Sequence, residues 1–164
     1  MKKIILFALF ITFAFSANAQ FSAGVTLGLP TGDADDVSSF ALGLDVNYML
    51  ESDSEFKYGL AASYLTYFGK TVEIAPGIEG DIDNVSFLPI AAAGRYRISD
   101  KFTLGADIGY AIGLSPSDND GGFYYRPMVA YSINENISLN LSYSGVELED
   151  VTFSNLGLGV MYGL

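Results

Sequence analysis

Phe102-Thr103-Leu104-Gly105-Ala106-Asp107-Ile108-Gly109-Tyr110-Ala111-Ile112-Gly113-Leu114 places an apolar side chain at every even position and a small or polar one at every odd position. Successive side chains of a strand point to opposite faces, so this period of two predicts a β-strand with one apolar face. The run is also long, since strands of soluble proteins average about 5–6 residues.

The same rhythm extends in both directions. Phe21, Ala23, Val25, Leu27 and Leu29 form one such face, Phe40 to Leu50 a second, and Phe56 to Phe68 a third. The stretch quoted above is the fifth. Phe123, Tyr125, Val129, Tyr131 and Ile133 form a sixth, Ile137, Leu139, Leu141 and Tyr143 a seventh, and Leu156, Leu158, Val160, Tyr162 and Leu164 the last. The fourth, Asn84 to Ile98, is less regular, because Phe87 and Leu88 compete for the apolar face before Ile90, Ala92, Tyr96 and Ile98 settle it. Proline has no ladder donor, so Pro89 and Pro127 require a bulge at each or a position above the membrane. The connectors alternate in length. Pro30 to Val37, Gly69 to Asp83 and Ser115 to Gly121 are long, whereas Glu51 to Glu55, Ser99 to Lys101 and Asn134 to Asn136 are short. This pattern predicts an all-β, eight-stranded antiparallel up-and-down transmembrane β-barrel, with short turns at one rim and long loops at the other.

Ahead of the strands, Lys2 and Lys3 precede an apolar run from Ile4 to Phe15 and an Ala17-Asn18-Ala19 end. That is the pattern of a secretory signal peptide. Residues 1–19 are expected to be cleaved, leaving residues 20–164 as one barrel domain. The apolar run is shorter than the roughly 20 residues a spanning helix needs, and no second long run follows. Without Lys2 and Lys3, 6 basic residues face 19 acidic ones, a net charge of −13. Such a chain repels nucleic acid. The sequence contains no Cys, which excludes disulfides and thiolate metal sites.

Which way the apolar face looks separates a membrane barrel from a secreted soluble one. Aromatic residues gather at the segment ends: Tyr48, Phe56, Tyr58, Tyr96, Phe102, Tyr131 and Tyr162 near the short turns, and Phe40, Phe68, Tyr110, Tyr125 and Tyr143 near the long loops. Two girdles of amphipathic rings around an aliphatic band mark two membrane interfaces. The other face is rich in glycine, which suits a narrow lumen. Its bulky groups are Asp45, Lys57, Arg95, Arg97, Asp107 and Arg126. Counting back from the Ser99–Lys101 turn sets Arg95 diagonally across from Asp107 on adjacent strands. Asp45 and Arg126 are expected to meet across the lumen. Burying such charges unpaired would be costly, so Asp45, Arg95, Arg97, Asp107 and Arg126 are expected to form an ion-paired network that plugs the barrel.

The eight alternating segments, the aromatic girdles and the closing Leu156-x-Leu158-x-Val160-x-Tyr162-x-Leu164 make the chain resemble the OmpA/OmpX-type family of small outer-membrane barrels. The resemblance covers everything after the signal peptide. It implies a place in the outer membrane of a Gram-negative bacterium, contact with outer-membrane lipid, and a last strand read by the outer-membrane insertion machinery. This chain ends in Leu164 where the family usually ends in an aromatic residue.

Some barrels of this type are lipid acyltransferases or deacylases whose chemistry centres on histidine. This sequence has no His, so neither the usual general base nor an activated thiolate is present. No catalytic residue, cofactor or metal is expected. Asp118-Asn119-Asp120-Gly121-Gly122 looks like half a calcium loop but lacks the later bidentate Glu. The other loop acids read as a solvated surface that repels neighbours. The sequence thus points to a monomeric barrel with a structural or surface-interaction role and a side-chain-plugged lumen. A narrow pore or small-ligand transport barrel is one alternative. A soluble secreted β-barrel binding an apolar ligand is another, and it would turn the apolar face inward. No motif names an extracellular partner.

Overall fold

The computed structural model describes residues 19–50, 54–75 and 78–164. The expected signal peptide lies outside them except for Ala19. Among the described residues the strands are β1 (Ala19–Thr31), β2 (Ser38–Leu50), β3 (Phe56–Gly69), β4 (Thr71–Ala75), β5 (Ile78–Asp81), β6 (Val85–Arg97), β7 (Phe102–Ser115), β8 (Gly122–Ser132), β9 (Ile137–Glu147) and β10 (Thr152–Gly163), with one helix, α1 (Asp33–Val37). Eight strands close one antiparallel barrel in the order β1-β2-β3-β6-β7-β8-β9-β10, with β10 pairing back to β1. Strands β4 and β5 pair only with each other, as a hairpin within the second long connector.

The register sets the width of the lumen. Stepping from Phe21 to Tyr48, Leu60, Ala92, Ile108, Tyr125, Gly145 and Ser154 returns to β1 at Thr31. The ring therefore closes with a stagger of 10 residues, from 21 to 31. Closure of this kind tilts the strands by about 35–45° and leaves an interior just wide enough for side chains.

Period two then sorts the residues of the barrel strands. Leu27 and Leu158 are each 61% exposed, and Ile90, Ile108 and Leu141 stay exposed too, while Asp45, Asn47, Asp107 and Arg126 at intervening positions are buried. The apolar face looks outward, so the soluble carrier with an inward apolar face is ruled out. Rings pack across strands at both rims. Phe40 stacks on Phe68 at 4.3 Å between centroids near the long loops. Near the short turns Phe102 meets Tyr131 at 5.2 Å, and Phe21, which joins this girdle, meets Tyr48 at 5.1 Å.

The prolines are accommodated differently from expectation. Pro89 pairs normally with Ala111 of β7, and Pro127 with Ala106 of β8's other neighbour, β7. Each leaves a gap in its second ladder: between Ala62↔Ile90 and Leu65↔Phe87 on β3–β6, and between Tyr125↔Gly145 and Met128↔Ser142 on β8–β9. The β8 register does not shift at Pro127; near Pro89 the shift falls at Ser86/Phe87. The missing donor thus interrupts one ladder locally, while the pairs on either side of the gap keep the strands in line. Leu88, opposite Ile112, takes the lipid face, and Phe87 is fully buried inside.

Two long connectors carry structure where the sequence suggested plain loops. Thr71-Val72-Glu73-Ile74 is rich in strand-favouring residues and forms β4. In the first connector Gly32 has φ of 60°, which a side chain resists, and it starts α1 with Asp33, Asp35 and Asp36 in the first turn. These acids complement the helix dipole. A five-residue helix does not hold alone. It is fastened by burial of Ala34, by the Thr152 amide donating to Asp33 Oδ2 at 3.0 Å, and by Lys70 bonding Asp35.

Candidate functional site: the barrel lumen

Strands β2 and β8 stand four places apart in the ring of eight, on opposite walls. From those walls Asp45 and Arg126 meet, Arg126 Nη1 lying 2.5 Å from Asp45 Oδ1. The guanidinium also grips its directly opposite neighbour, Asp107. Arg126 Nε donates to Asp107 Oδ2 at 2.8 Å, and Nη2 lies 2.8 Å from the same oxygen. Arg95, opposite Gly105 and so diagonal to Asp107, donates through Nη1 to Asp107 Oδ1 at 2.6 Å. The order is Asp45–Arg126–Asp107–Arg95, two cations alternating with two anions.

The remaining lone pairs are met as well. Ser63 Oγ donates to Asp45 Oδ1 at 2.5 Å and Thr26 Oγ1 donates to Asp45 Oδ2 at 2.7 Å. Asp107 is fully buried and Asp45 nearly so. A buried charge is tolerated only with this degree of pairing. Gly105 makes room for it: a Cβ there would lie 2.8 Å from Arg95 Cδ and 2.9 Å from Met128 Cγ. Arg97 is not in the chain. It is 52% exposed at the short-turn mouth, where its Nε lies 4.0 Å from Glu55 Oε2.

Above the charges, toward the long loops, lies a second layer. Tyr67, Phe87, Tyr124 and Val146 are buried together with Ala34, Ala41, Leu65, Ala91 and Ala111, and Phe153 packs against them. Tyr67 meets Phe153 at 5.3 Å and Phe87 at 6.2 Å between centroids, both edge-on. Its hydroxyl donates to the Phe153 carbonyl at 3.1 Å and accepts from Asn155 Nδ2 at 2.8 Å. Asn155 also bonds Ser144 Oγ at 2.8 Å. Ala34 of α1 belongs to this core, so the helix lies over its long-loop end. The sequence reading missed this layer, although it left a signal: Tyr67, Tyr124 and Phe153 are large rings in the phase otherwise given to glycine and small polar residues.

A known family matches nearly the whole chain: the outer membrane protein beta-barrel domain, over residues 4–163. The chain belongs to that family. It is a small outer-membrane barrel of the OmpA/OmpX type, and its place is the bacterial outer membrane. No significantly similar relative is found among curated proteins. Among solved structures, the barrel resembles Ail, the attachment invasion locus protein of Yersinia pestis. The TM-score is 0.58 at 18% identity, covering 89% of this chain and 97% of Ail. It equally resembles the de novo designed barrel TMB2.3, with a TM-score of 0.59, 14% identity, and coverage of 90% and 96%. Neisserial surface protein A follows at a TM-score of 0.51, 17% identity, and coverage of 88% and 96%. An attachment protein and a designed barrel match this outer-membrane barrel alike, so the likeness speaks for fold alone.

Proposed function

We propose that this outer-membrane barrel is a closed, non-enzymatic anchor that holds acidic loops outside the cell, with a structural or surface-interaction role. The observation that carries this reading is the Arg126 guanidinium tied to both walls of the lumen, with the aromatic core above it. A narrow barrel filled in this way leaves no continuous polar path. Lipid acyl and acyl-transfer chemistry of the histidine kind has no base here. Recording from purified protein in planar bilayers tests the reading. The expected result is no steady open level, and a large, lasting conductance would overturn it.

Barrels of this class turn short turns to the periplasm and long loops to the exterior. On that orientation 12 of the 19 acids lie outside, in the connectors around Asp33, Glu79, Asp118 and Glu149, with Lys70 as the outer basic residue. Ail has been crystallised with the heparin analogue sucrose octasulfate. The outer face of the present chain is opposite in sign to what a polyanion requires, so a partner of its loops would be cationic or bridged by cations. The chain acts as a monomer, loses residues 1–19 in the course of export, and is assembled through β10, whose Leu156, Leu158, Val160 and Tyr162 face lipid. Support for these steps is the signal-like start and the alternating last strand.

A further inference from the structure

The lipid face is not smooth where β10 meets β1. Leu27 stands opposite Leu158 and Leu29 opposite Leu156, two cross-strand rows of exposed leucines, with Gly28 opposite Gly157 between them. Both glycines face the lumen, so the floor between the rows is bare backbone. A Cβ would lie 2.5 Å from Asn155 Oδ1 at Gly28 and 2.7 Å from Thr26 Cγ2 at Gly157, and without it the wall sits close against the lumen filling. The result is an apolar groove of about 480 Å³, bounded by Leu141 of β9 at one end and Phe40 of β2 at the other.

Its course suits a hydrocarbon chain. From β9 through β10 and β1 to β2 it crosses three strand spacings, about 14 Å, close to half of the roughly 30 Å hydrocarbon thickness of a bilayer. The stagger of the ring lifts successive pairs toward the long loops in that same order. The groove therefore climbs from Leu141, in the aliphatic band, to the long-loop aromatic girdle at Phe40. An acyl chain of one leaflet has that length and that direction. On the neighbouring wall rings occupy the corresponding level: Phe123, Tyr125 and Tyr143 follow one another at 6.2 and 6.3 Å between centroids. A second copy of the barrel would bring a convex wall, which spans such a slot without entering it.

The upper end selects the headgroup. Phe40 follows α1 closely in the chain, and α1 packs against β1, β2 and β10, the strands that carry most of the groove. Asp33, Asp35 and Asp36 of α1 and Glu149 and Asp150 of the β9–β10 connector are exposed there, and the Thr152 amide joins the two segments through Asp33. Lys70 offsets one of these charges by pairing with Asp35. Such a rim repels an anionic headgroup and attracts an ammonium.

We propose that the β10–β1 groove binds an acyl chain of a membrane lipid in the long-loop leaflet whose headgroup carries an ammonium group. The chain lies between the leucine rows, and the ammonium meets the carboxylates around α1. The site is on the outer wall, so it holds whether or not the lumen conducts.

The chain contains no tryptophan, so an introduced one is the sole indole fluorophore. L141W reports on the lower end of the groove, and I108W on β7, the wall opposite β1. Each full-length barrel is folded into phosphatidylcholine bilayers and checked by a heat-dependent gel shift, with L27W in place of L141W should that variant fail to fold. Chain-brominated phosphatidylethanolamine or phosphatidylglycerol is then titrated in, and quenching gives the association constant of each relative to the host lipid. At L141W the ethanolamine lipid is expected to associate about threefold more strongly than the glycerol lipid, and at I108W equally. Adding D36N and D150N should bring the L141W ratio to about one, and L156F, which fills the groove, should bring the ethanolamine constant down to its I108W value. Equal ratios at L141W and I108W overturn the proposal, as does a ratio or constant that these substitutions leave unmoved. Protection of L141W from both lipids also overturns it, since a second copy would then cover the groove.

Discussion

Removing the Arg126 guanidinium would leave Asp45 and Asp107 as buried carboxylates, Asp45 with only hydroxyl partners and Asp107 with Arg95 alone. Breaking a buried pair from one side costs about 3–5 kcal/mol, because the surviving charge keeps its desolvation penalty. R126M is therefore expected to lower stability by about that much, read from urea unfolding in detergent or lipid. R97A should change it by no more than about 0.5 kcal/mol, since an exposed pair at 4.0 Å contributes little. The contrast also shows what was legible at this scale. Arg95 and Asp107 lie on strands joined by a short turn, so their diagonal placement follows from counting. Arg97 shares the same phase, but phase gives a face and not a depth. Two residues further along the strand it has already left the enclosed part of the lumen.

At the scale of the strand and the short helix, the two faces of one element answer to different solvents. Leu158 lies within the exposed apolar band of β10 and Leu164 at its end. Leu158→Arg is expected to cost about 2–4 kcal/mol near the membrane midplane, against about 0–1 kcal/mol for Leu164→Arg at the interface. Unfolding of both variants in the same bilayer measures the difference. Helix α1 depends on Gly32, whose φ of 60° and ψ of −138° only glycine adopts readily. Gly32→Ala should destabilise by about 1–3 kcal/mol, seen as a lower urea midpoint. Strand identity was plain in the sequence because period two is local. The helix was not, because five residues carry no helical period and form only over the buried Ala34. Pro89 and Pro127 were rightly flagged as interruptions, but a bulge at each was the wrong remedy: a gap in one ladder suffices where the flanking pairs hold register.

For the whole molecule, charge and closure make the testable statements. The acidic outer face predicts that purified barrel passes through a heparin column at physiological ionic strength, where a polyanion-binding barrel is retained. Mass spectrometry of the protein recovered from outer membranes should find Gln20 as the first residue, and an N-terminus at Met1 would overturn the export reading. The sequence by itself determined which segments make the eight barrel strands, which face of each meets lipid, and the outer-membrane character. All three follow from short-range alternation and from aromatic residues near segment ends. Only the tertiary structure decided how deep each inward residue lies, hence that Asp45 and Arg126 share a level while Arg97 does not. It also showed that Tyr67, Phe87, Tyr124 and Phe153 converge into one core. Depth depends on the 10-residue stagger accumulated around the closed ring, and a stagger belongs to the joined strands together rather than to any one of them.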